Sequence, residues 1–183
     1  MLFTVIDLQR EPIDFQESLS PGTIDFTEDI RQSGDLTAQG RADLLHEHRG
    51  PNDVVDDIRI RASASTHLEL ACARCLEPVT IPVATSFDLI FRPGEADATS
   101  AERAISTSET EIGYYEGDGL LLEDVLREQI LLALPARVLC SDSCKGLCPA
   151  CGRNRNTDPC DCDALPSDPR WAALQSVRVQ QKP

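Results

Sequence analysis

Eight cysteines are the residues of this chain whose type and spacing could do chemistry. They fall into four close groups, which are Cys72 with Cys75, Cys140 with Cys144, Cys148 with Cys151, and Cys160 with Cys162. Two thiolates separated by two residues can point at one ion, and Zn²⁺ takes four such ligands in a tetrahedron. The cysteine spacing therefore predicts metal binding.

The C-terminal cysteines give the clearest ligand set. Cys148, Cys151, Cys160 and Cys162 supply four sulfurs for one zinc ion. The eight residues between the two pairs form a short fingertip, which is residues 152–159. Gly152 lets the backbone curl beneath the sulfurs. We expect a structural zinc site in this cluster.

The remaining cysteines predict a second zinc site by subtraction. That site would use Cys72, Cys75, Cys140 and Cys144. A competing arrangement gives Cys144 to the C-terminal cluster and leaves Cys162 without a role. The spacing alone leaves both arrangements open.

A Cys-x-x-Cys pair can also be a redox motif, and such motifs sit at a helix N-terminus after a parallel strand. Alternating strands, not a helix, flank Cys72 and Cys75, so a thiol–disulfide oxidoreductase is the weakest alternative. A four-cysteine zinc site is closed to water. The chain also has no nucleophile elbow and no phosphate-binding loop. We therefore expect a protein that is not an enzyme and takes no small-molecule substrate.

The elements that must position these cysteines are mostly strands. Apolar and polar residues alternate over 35–44, 58–70 and 79–91, which is the period of a strand with one wet face. Residues 2–8 are expected to add another strand. Two alternating runs flank Cys72 and Cys75, which places this pair at the tip of an antiparallel hairpin.

The predicted fold class is α+β, with an antiparallel β-sheet or partial barrel over residues 1–94 that one helix covers. Residues 95–118 are acidic and without periodicity, so they predict a loop or linker. An amphipathic helix is expected over 119–135, capped by Asp118 and stopped by Pro135. Residues 136–183 are expected to form a zinc-ribbon-like segment, with a short terminal helix that begins near Trp171.

The net charge of −14 is uneven, since it is −16 over residues 1–136 and +2 over the remainder. This balance argues against generic wrapping of nucleic acid. The chain has no long apolar run and no basic, apolar leader at residue 1, so neither a membrane span nor a secretory signal is expected. Eight cysteines without such a signal indicate metal ligands in a reducing, cytoplasmic compartment.

The sequence resembles the YceD family, the large ribosomal RNA subunit accumulation proteins, over about residues 58–175. The resemblance rests on Cys72-Ala73-Arg74-Cys75-Leu76-Glu77-Pro78, on Arg127-Glu128-Gln129, on Cys144-Lys145-Gly146-Leu147-Cys148-Pro149-Ala150-Cys151-Gly152, on Asn156, Cys160 and Cys162, and on Asp168-Pro169-Arg170-Trp171. It implies a role in making or maintaining 23S ribosomal RNA, with no known catalytic activity. Some family members lack part of the C-terminal cysteine cluster.

Two functional hypotheses remain. In the first, the chain is a ribosome-assembly factor on a large-subunit precursor, with Lys145, Arg153 and Arg155 as possible RNA contacts. The strongly acidic remainder makes basic ribosomal proteins an equally suitable partner. In the second, the chain is a zinc-stabilised interaction adaptor for other machinery, for example in transcription.

Overall fold

A computed structural model of the chain describes residues 1–50, 53–97 and 112–162. Most of the acidic segment and the terminal helix predicted near Trp171 lie outside these ranges. The chain divides into two compact units. The sheet unit comprises Met1–Leu70 and Val79–Arg137, and the cysteine unit comprises Ala71–Pro78 and Val138–Pro183. All eight cysteines therefore belong to one unit.

Three long strands dominate the sheet unit: β4 (Leu36–Gly50), β5 (Asp53–Ala71) and β6 (Pro78–Pro93). The short strands are β1 (Leu2–Thr4), β2 (Ile13–Leu19), β3 (Arg31–Gln32), β7 (Ile112–Tyr115) and β8 (Gly119–Leu121). The larger sheet has the order β2-β4-β5-β6-β7, with β3 paired to β5, and β1 and β8 form a two-stranded sheet.

The alternation of β5 is the reason for its burial pattern. Its even positions Ile58, Ile60 and Leu68 are fully buried, because successive strand residues point to opposite faces. The antiparallel register with β4 places Ala42 opposite Ile60 on the same buried face. Small and branched side chains thus share one core face.

Helix α2 (Leu122–Leu132) contributes to this core. Its buried residues Leu122, Val125, Leu126 and Ile130 recur at helical spacing. The expected cap at Asp118 is wrong: residues 119–121 form β8, and the helix begins after Leu121 with no side-chain cap. The Asp118 carbonyl instead accepts a hydrogen bond from the Val5 amide at 3.2 Å.

The strand predicted over residues 2–8 is wrong beyond Thr4. Helix α1 (Val5–Arg10) begins there because the Thr4 hydroxyl oxygen accepts a hydrogen bond from the Asp7 amide at 3.1 Å. Leu8 is buried in the core. The N-terminal part is consequently β-rich but not purely β.

The acidic segment predicted as a loop contains a strand. β7 pairs with β6 in parallel, with Ile112 opposite Ile90, so the larger sheet is mixed and not wholly antiparallel. A parallel partner needs a long connection, and local composition does not reveal one. A short 3-10 turn, Gly94–Asp97, follows β6.

A buried ion pair lies in the sheet unit. Arg92 and Asp57 are 1% and 4% exposed. The Arg92 Nε donates to Asp57 Oδ1 at 3.1 Å and its terminal nitrogen donates to Oδ2 at 2.8 Å. Arg92 also contacts the carboxylate of Glu47. Such bidentate pairing offsets the cost of removing both charges from water.

Candidate metal centres

The turn between β5 and β6 carries the first pair of cysteines. The Cys72 amide donates to the Glu77 carbonyl at 2.8 Å, and the Leu76 amide donates to the Cys72 carbonyl at 2.9 Å. Leu76 has a positive φ of 64°, a region that residues other than Gly, Asn and Asp rarely enter. The chain thereby makes a tight knuckle that places Cys72 and Cys75 on one side.

The turn at Cys148 and Cys151 repeats this knuckle bond for bond. The Cys148 amide donates to the Arg153 carbonyl at 2.8 Å, and the Gly152 amide donates to the Cys148 carbonyl at 2.8 Å. Gly152 has a φ of 75°. Two distant segments of the sequence thus build the same ligand-presenting turn.

The structure groups the sulfurs into two quartets, and within each quartet they lie within 4.8 Å of one another. The first quartet is Cys72, Cys75, Cys140 and Cys144, and the second quartet is Cys148, Cys151, Cys160 and Cys162. This is the first of the two predicted arrangements. The competing arrangement is not the one found, because Cys144 lies with the first quartet.

The first quartet has the dimensions of a four-sulfur zinc site. Sulfurs at about 2.3 Å from a central ion stand about 3.8 Å apart along the edges of a tetrahedron. The Sγ atoms of Cys72 and Cys144 are 3.9 Å apart, and those of Cys75 and Cys140 are 3.6 Å apart. All eight cysteines are free thiols. The donor set and its spacing therefore fit Zn²⁺.

The two quartets differ in exposure. Cys72, Cys75 and Cys144 are buried and Cys140 is exposed, whereas in the second quartet only Cys148 is buried. Burial limits the access of water and competing ligands to a site. The first quartet is the more enclosed centre.

Each knuckle favours the thiolate form of its first cysteine. The backbone amides of Arg74 and Cys75 lower the pKa of Cys72 to about 6. The amides of Cys151 and Ala150 do the same for Cys148, whose pKa is also about 6. Because metal ligation requires the thiolate, these turns prepare two ligands at neutral pH.

The pKa values of Cys75 and Cys162 are instead raised. A backbone hydrogen bond from Glu77 lowers the pKa of Cys75, but burial and the sulfurs of the first quartet outweigh it and raise the pKa to about 12. The sulfurs of Cys151 and Cys160 likewise raise the pKa of Cys162 to about 12. A bound cation reverses this penalty by attracting the negative charges that otherwise repel one another.

Two side chains that are not cysteines make hydrogen bonds to the first quartet and its loop. The Arg74 guanidinium donates to the carbonyl oxygens of Cys144 at 2.9 Å and of Asp142 at 3.3 Å. The Asn156 amide donates to the Sγ of Cys144 at 3.3 Å, and it lowers the pKa of that thiol. Sequence spacing gives no signal for either role, since neither residue adjoins its target in the chain.

The residues predicted as RNA contacts lie on the cysteine unit, and all three are exposed: Lys145, Arg153 and Arg155. Arg153 faces Asp158, with Nε 3.6 Å from Oδ2. The Arg155 amide donates to the Gly146 carbonyl at 2.9 Å, while its side chain is exposed. Their role in binding RNA stays a prediction.

These features define an α+β protein with a mixed sheet and a cysteine unit that carries two candidate four-thiolate metal centres. The chain belongs to the YceD family: the family described as "Large ribosomal RNA subunit accumulation protein YceD" matches residues 60–178. The resemblance stated from the sequence is thereby confirmed. No helix among the described residues has the length and apolar character needed to cross a membrane.

Several known proteins are similar to this chain. An uncharacterized protein of Mycobacterium tuberculosis is 34% identical over 103 residues, which are 56% of this chain and 47% of the relative. An uncharacterized protein of Mycobacterium leprae is 26% identical over 133 residues, which are 71% of this chain and 57% of the relative. The chloroplastic "Large ribosomal RNA subunit accumulation protein YCED homolog 1" of Arabidopsis thaliana is 32% identical over 57 residues, which are 31% of this chain and 18% of the relative. The chain spans about half the length of the first of these relatives, and no solved structure matches it.

Proposed function

We propose that this protein is a zinc-binding, non-catalytic factor that supports the accumulation of 23S ribosomal RNA by acting on a large-subunit precursor. The observation that carries the proposal is membership of the YceD family over residues 60–178, which include all eight cysteines. The name of the Arabidopsis relative supports the same role.

Zinc has a structural part in this proposal. Four thiolates fill the tetrahedral coordination of Zn²⁺ and leave no position for a reacting water. Each ion would cross-link segments of the cysteine unit, so that its binding free energy becomes folding free energy. Such centres need reduced thiols, and the proposal therefore places the protein in the cytoplasm.

Contact with the precursor is proposed at the fingertip. Arg155 on the fingertip and Lys145 in the adjacent loop present exposed cations that can bind phosphate oxygens. Each filled metal centre is net negative, since four thiolates outweigh one divalent ion. The proposed RNA contact is therefore limited to these cations and does not extend over the whole cysteine unit. The acidic residues 1–136 suit a basic ribosomal protein on the same particle.

Sedimentation of lysate from the protein's own cells tests the function. The protein is expected to migrate with a particle containing immature 23S RNA and to leave it at high salt. If all of it stays at the top of the gradient even at low salt, the assembly-factor proposal is overturned. An adaptor outside the ribosome then becomes the leading hypothesis.

Native mass spectrometry tests the metal part. The full chain is expected to carry two zinc ions, and Cys75→Ser and Cys151→Ser are each expected to lose one. The matched control is Ser143→Ala, which changes an exposed side chain beside Cys144 and should keep both ions. A metal-free mass with disulfides would contradict the zinc proposal.

A further inference from the structure

Asn156 connects the two quartets. In the chain it lies between Cys151 and Cys160, which belong to the second quartet. Its side-chain Nδ2 nevertheless donates to the Sγ of Cys144, a member of the first quartet, at 3.3 Å. A fingertip defined by one candidate metal centre thus reaches a ligand of the other.

The Asn156 amide is held in one orientation. Its Oδ1 accepts a hydrogen bond from the Lys145 backbone amide at 2.8 Å. A backbone N–H can only donate, so the oxygen must face Lys145 and the NH₂ group must face the sulfur. The Asn154 side chain adds support, because its Oδ1 accepts from the Asn156 backbone amide at 3.0 Å.

Further bonds fix the fingertip against the turns around the first quartet. The Arg155 amide donates to the Gly146 carbonyl at 2.9 Å, and the Leu147 amide donates to the Arg74 carbonyl at 3.0 Å. The Asn154 Nδ2 donates to Glu77 Oε1 at 3.2 Å. Two of these contacts join the fingertip to its surroundings, one to the loop that follows Cys144 and one to the first knuckle. The Leu147 contact joins that loop to the first knuckle.

We propose that the two quartets take up metal cooperatively and that Asn156 is the residue that couples them. Metal in the second quartet would fix both ends of the fingertip at Cys151 and Cys160. The fixed fingertip presents the Asn156 amide to Cys144, and hydrogen bonds to a ligating sulfur orient the ligand and tune its affinity. By linkage, metal in the first quartet tightens the second by the same factor. This inference rests on the zinc binding proposed above.

Zinc titration of the full chain against a chromophoric chelator tests the coupling. Asn156→Asp keeps the oxygen that accepts from Lys145 and removes the donor to Cys144. It is expected to weaken zinc binding at the first quartet about tenfold, the lower end of the usual effect of such partners. Thr157→Ala is the matched control, because it alters the exposed side chain next to Asn156 and leaves the Asn156 bonds in place. Alkylation of free thiols followed by peptide mass spectrometry assigns each ion to its quartet.

Removal of one quartet tests reciprocity. The double variant Cys151→Ser, Cys160→Ser should weaken the first quartet about tenfold, and Asn156→Asp added to it should change nothing more. The double variant Cys75→Ser, Cys140→Ser should weaken the second quartet by the same factor.

Two outcomes overturn the coupling while zinc binding survives. One is an Asn156→Asp variant with zinc affinity within twofold of the unaltered chain. The other is an Asn156→Asp effect that persists undiminished after the second quartet is removed. An unaltered chain that binds no zinc overturns the zinc proposal itself, so the two failures are distinguishable.

Discussion

Leu76 and Gly152 occupy equivalent positions in two matching knuckles. Each follows the second cysteine of its turn, and each donates its amide to the carbonyl of the first cysteine, at 2.9 and 2.8 Å. Their φ angles are 64° and 75°. Both positions require a left-handed backbone conformation, but only one of them is occupied by glycine. The Leu76 side chain is 64% exposed, so little packing compensates its strained backbone.

Leu76→Gly is therefore expected to raise the free energy of unfolding by about 0.5–1 kcal/mol. Relief of the left-handed strain contributes about 1–2 kcal/mol, and the greater chain entropy of glycine offsets part of it. The midpoint of urea unfolding of the zinc-loaded protein measures the change.

The reciprocal variant Gly152→Leu is expected to lose about 1 kcal/mol from backbone strain. Among the described residues, chain neighbours aside, no heavy atom lies within 4 Å of a Cβ built there, so no clash adds to this loss. Gly146→Ala should lose more than backbone strain alone, since its Cβ would meet the Arg74 carbonyl oxygen at 3.0 Å. An unchanged or lower stability for Leu76→Gly would contradict the account of the knuckle.

Asp57→Asn is expected to destabilise the protein by about 3 kcal/mol, because it leaves the buried Arg92 guanidinium without its main counter-charge. The matched control is Asp88→Asn. Asp88 accepts from Arg59 Nε at 2.7 Å but is 48% exposed, so its loss should cost under about 1 kcal/mol. Urea unfolding measures both losses of stability, provided that the slope of the unfolding free energy against urea concentration is the same in each variant. Equal losses for the two variants would show that burial does not set the strength of the pair.

Acid is expected to remove a stabilising contribution from Asp43. Partial burial raises the pKa of Asp43, but hydrogen bonds from Arg61 and Arg41 outweigh it and hold the pKa below its ordinary value. A lowered folded-state pKa gives stability that is complete above the unfolded pKa of about 3.9 and is lost as the pH falls toward the folded value. Asp43→Asn should therefore be less stable than the unaltered chain at pH 7.

The stability difference between these two chains should shrink as the pH falls below about 4. Unfolding measured on both chains across this range isolates Asp43, because loss of metal in acid affects both equally. A difference that stays constant with pH would count against the ion pairs of Asp43.

The salt dependence of particle binding reports the fingertip cations. Arg155→Ala is expected to weaken binding and to reduce the slope of log affinity against log salt by about 1, if its side chain neutralises one phosphate. Asp158→Ala should act oppositely, because it frees Arg153 from the carboxylate 3.6 Å away. Gradient sedimentation at several salt concentrations measures both. Slopes that match the unaltered chain in both variants would move the contact away from the fingertip.

Patterns that depend on neighbouring residues were predictable from the sequence. Alternation in β5 and helical spacing in α2 locate both elements, because each residue's burial follows from local geometry. The two knuckles were predictable as well, since each is a short local turn, but the spacing left open whether Cys144 belongs to the first or the second quartet.

Features that depend on distant partners were not predictable. β7 exists because Ile112 pairs with Ile90, and its acidic surroundings hide that pairing. The short helix α1 is a local feature that the sequence also did not reveal, because six residues are too few to show a helical period. The contact of Asn156 with Cys144 joins two loops whose approach only the folded cysteine unit defines.

The four cysteines of the first quartet come from two distant parts of the chain, so a ribosome makes them at different times. Cys72 and Cys144 are 72 positions apart, so at 5–20 residues per second the second thiol is made about 4 to 14 s after the first. Until Cys140 is made, four residues before Cys144, the β5–β6 hairpin tip holds two thiols and lacks both of its partners. The first centre can therefore close only after Cys144 has been made, and Asn156 is made later still.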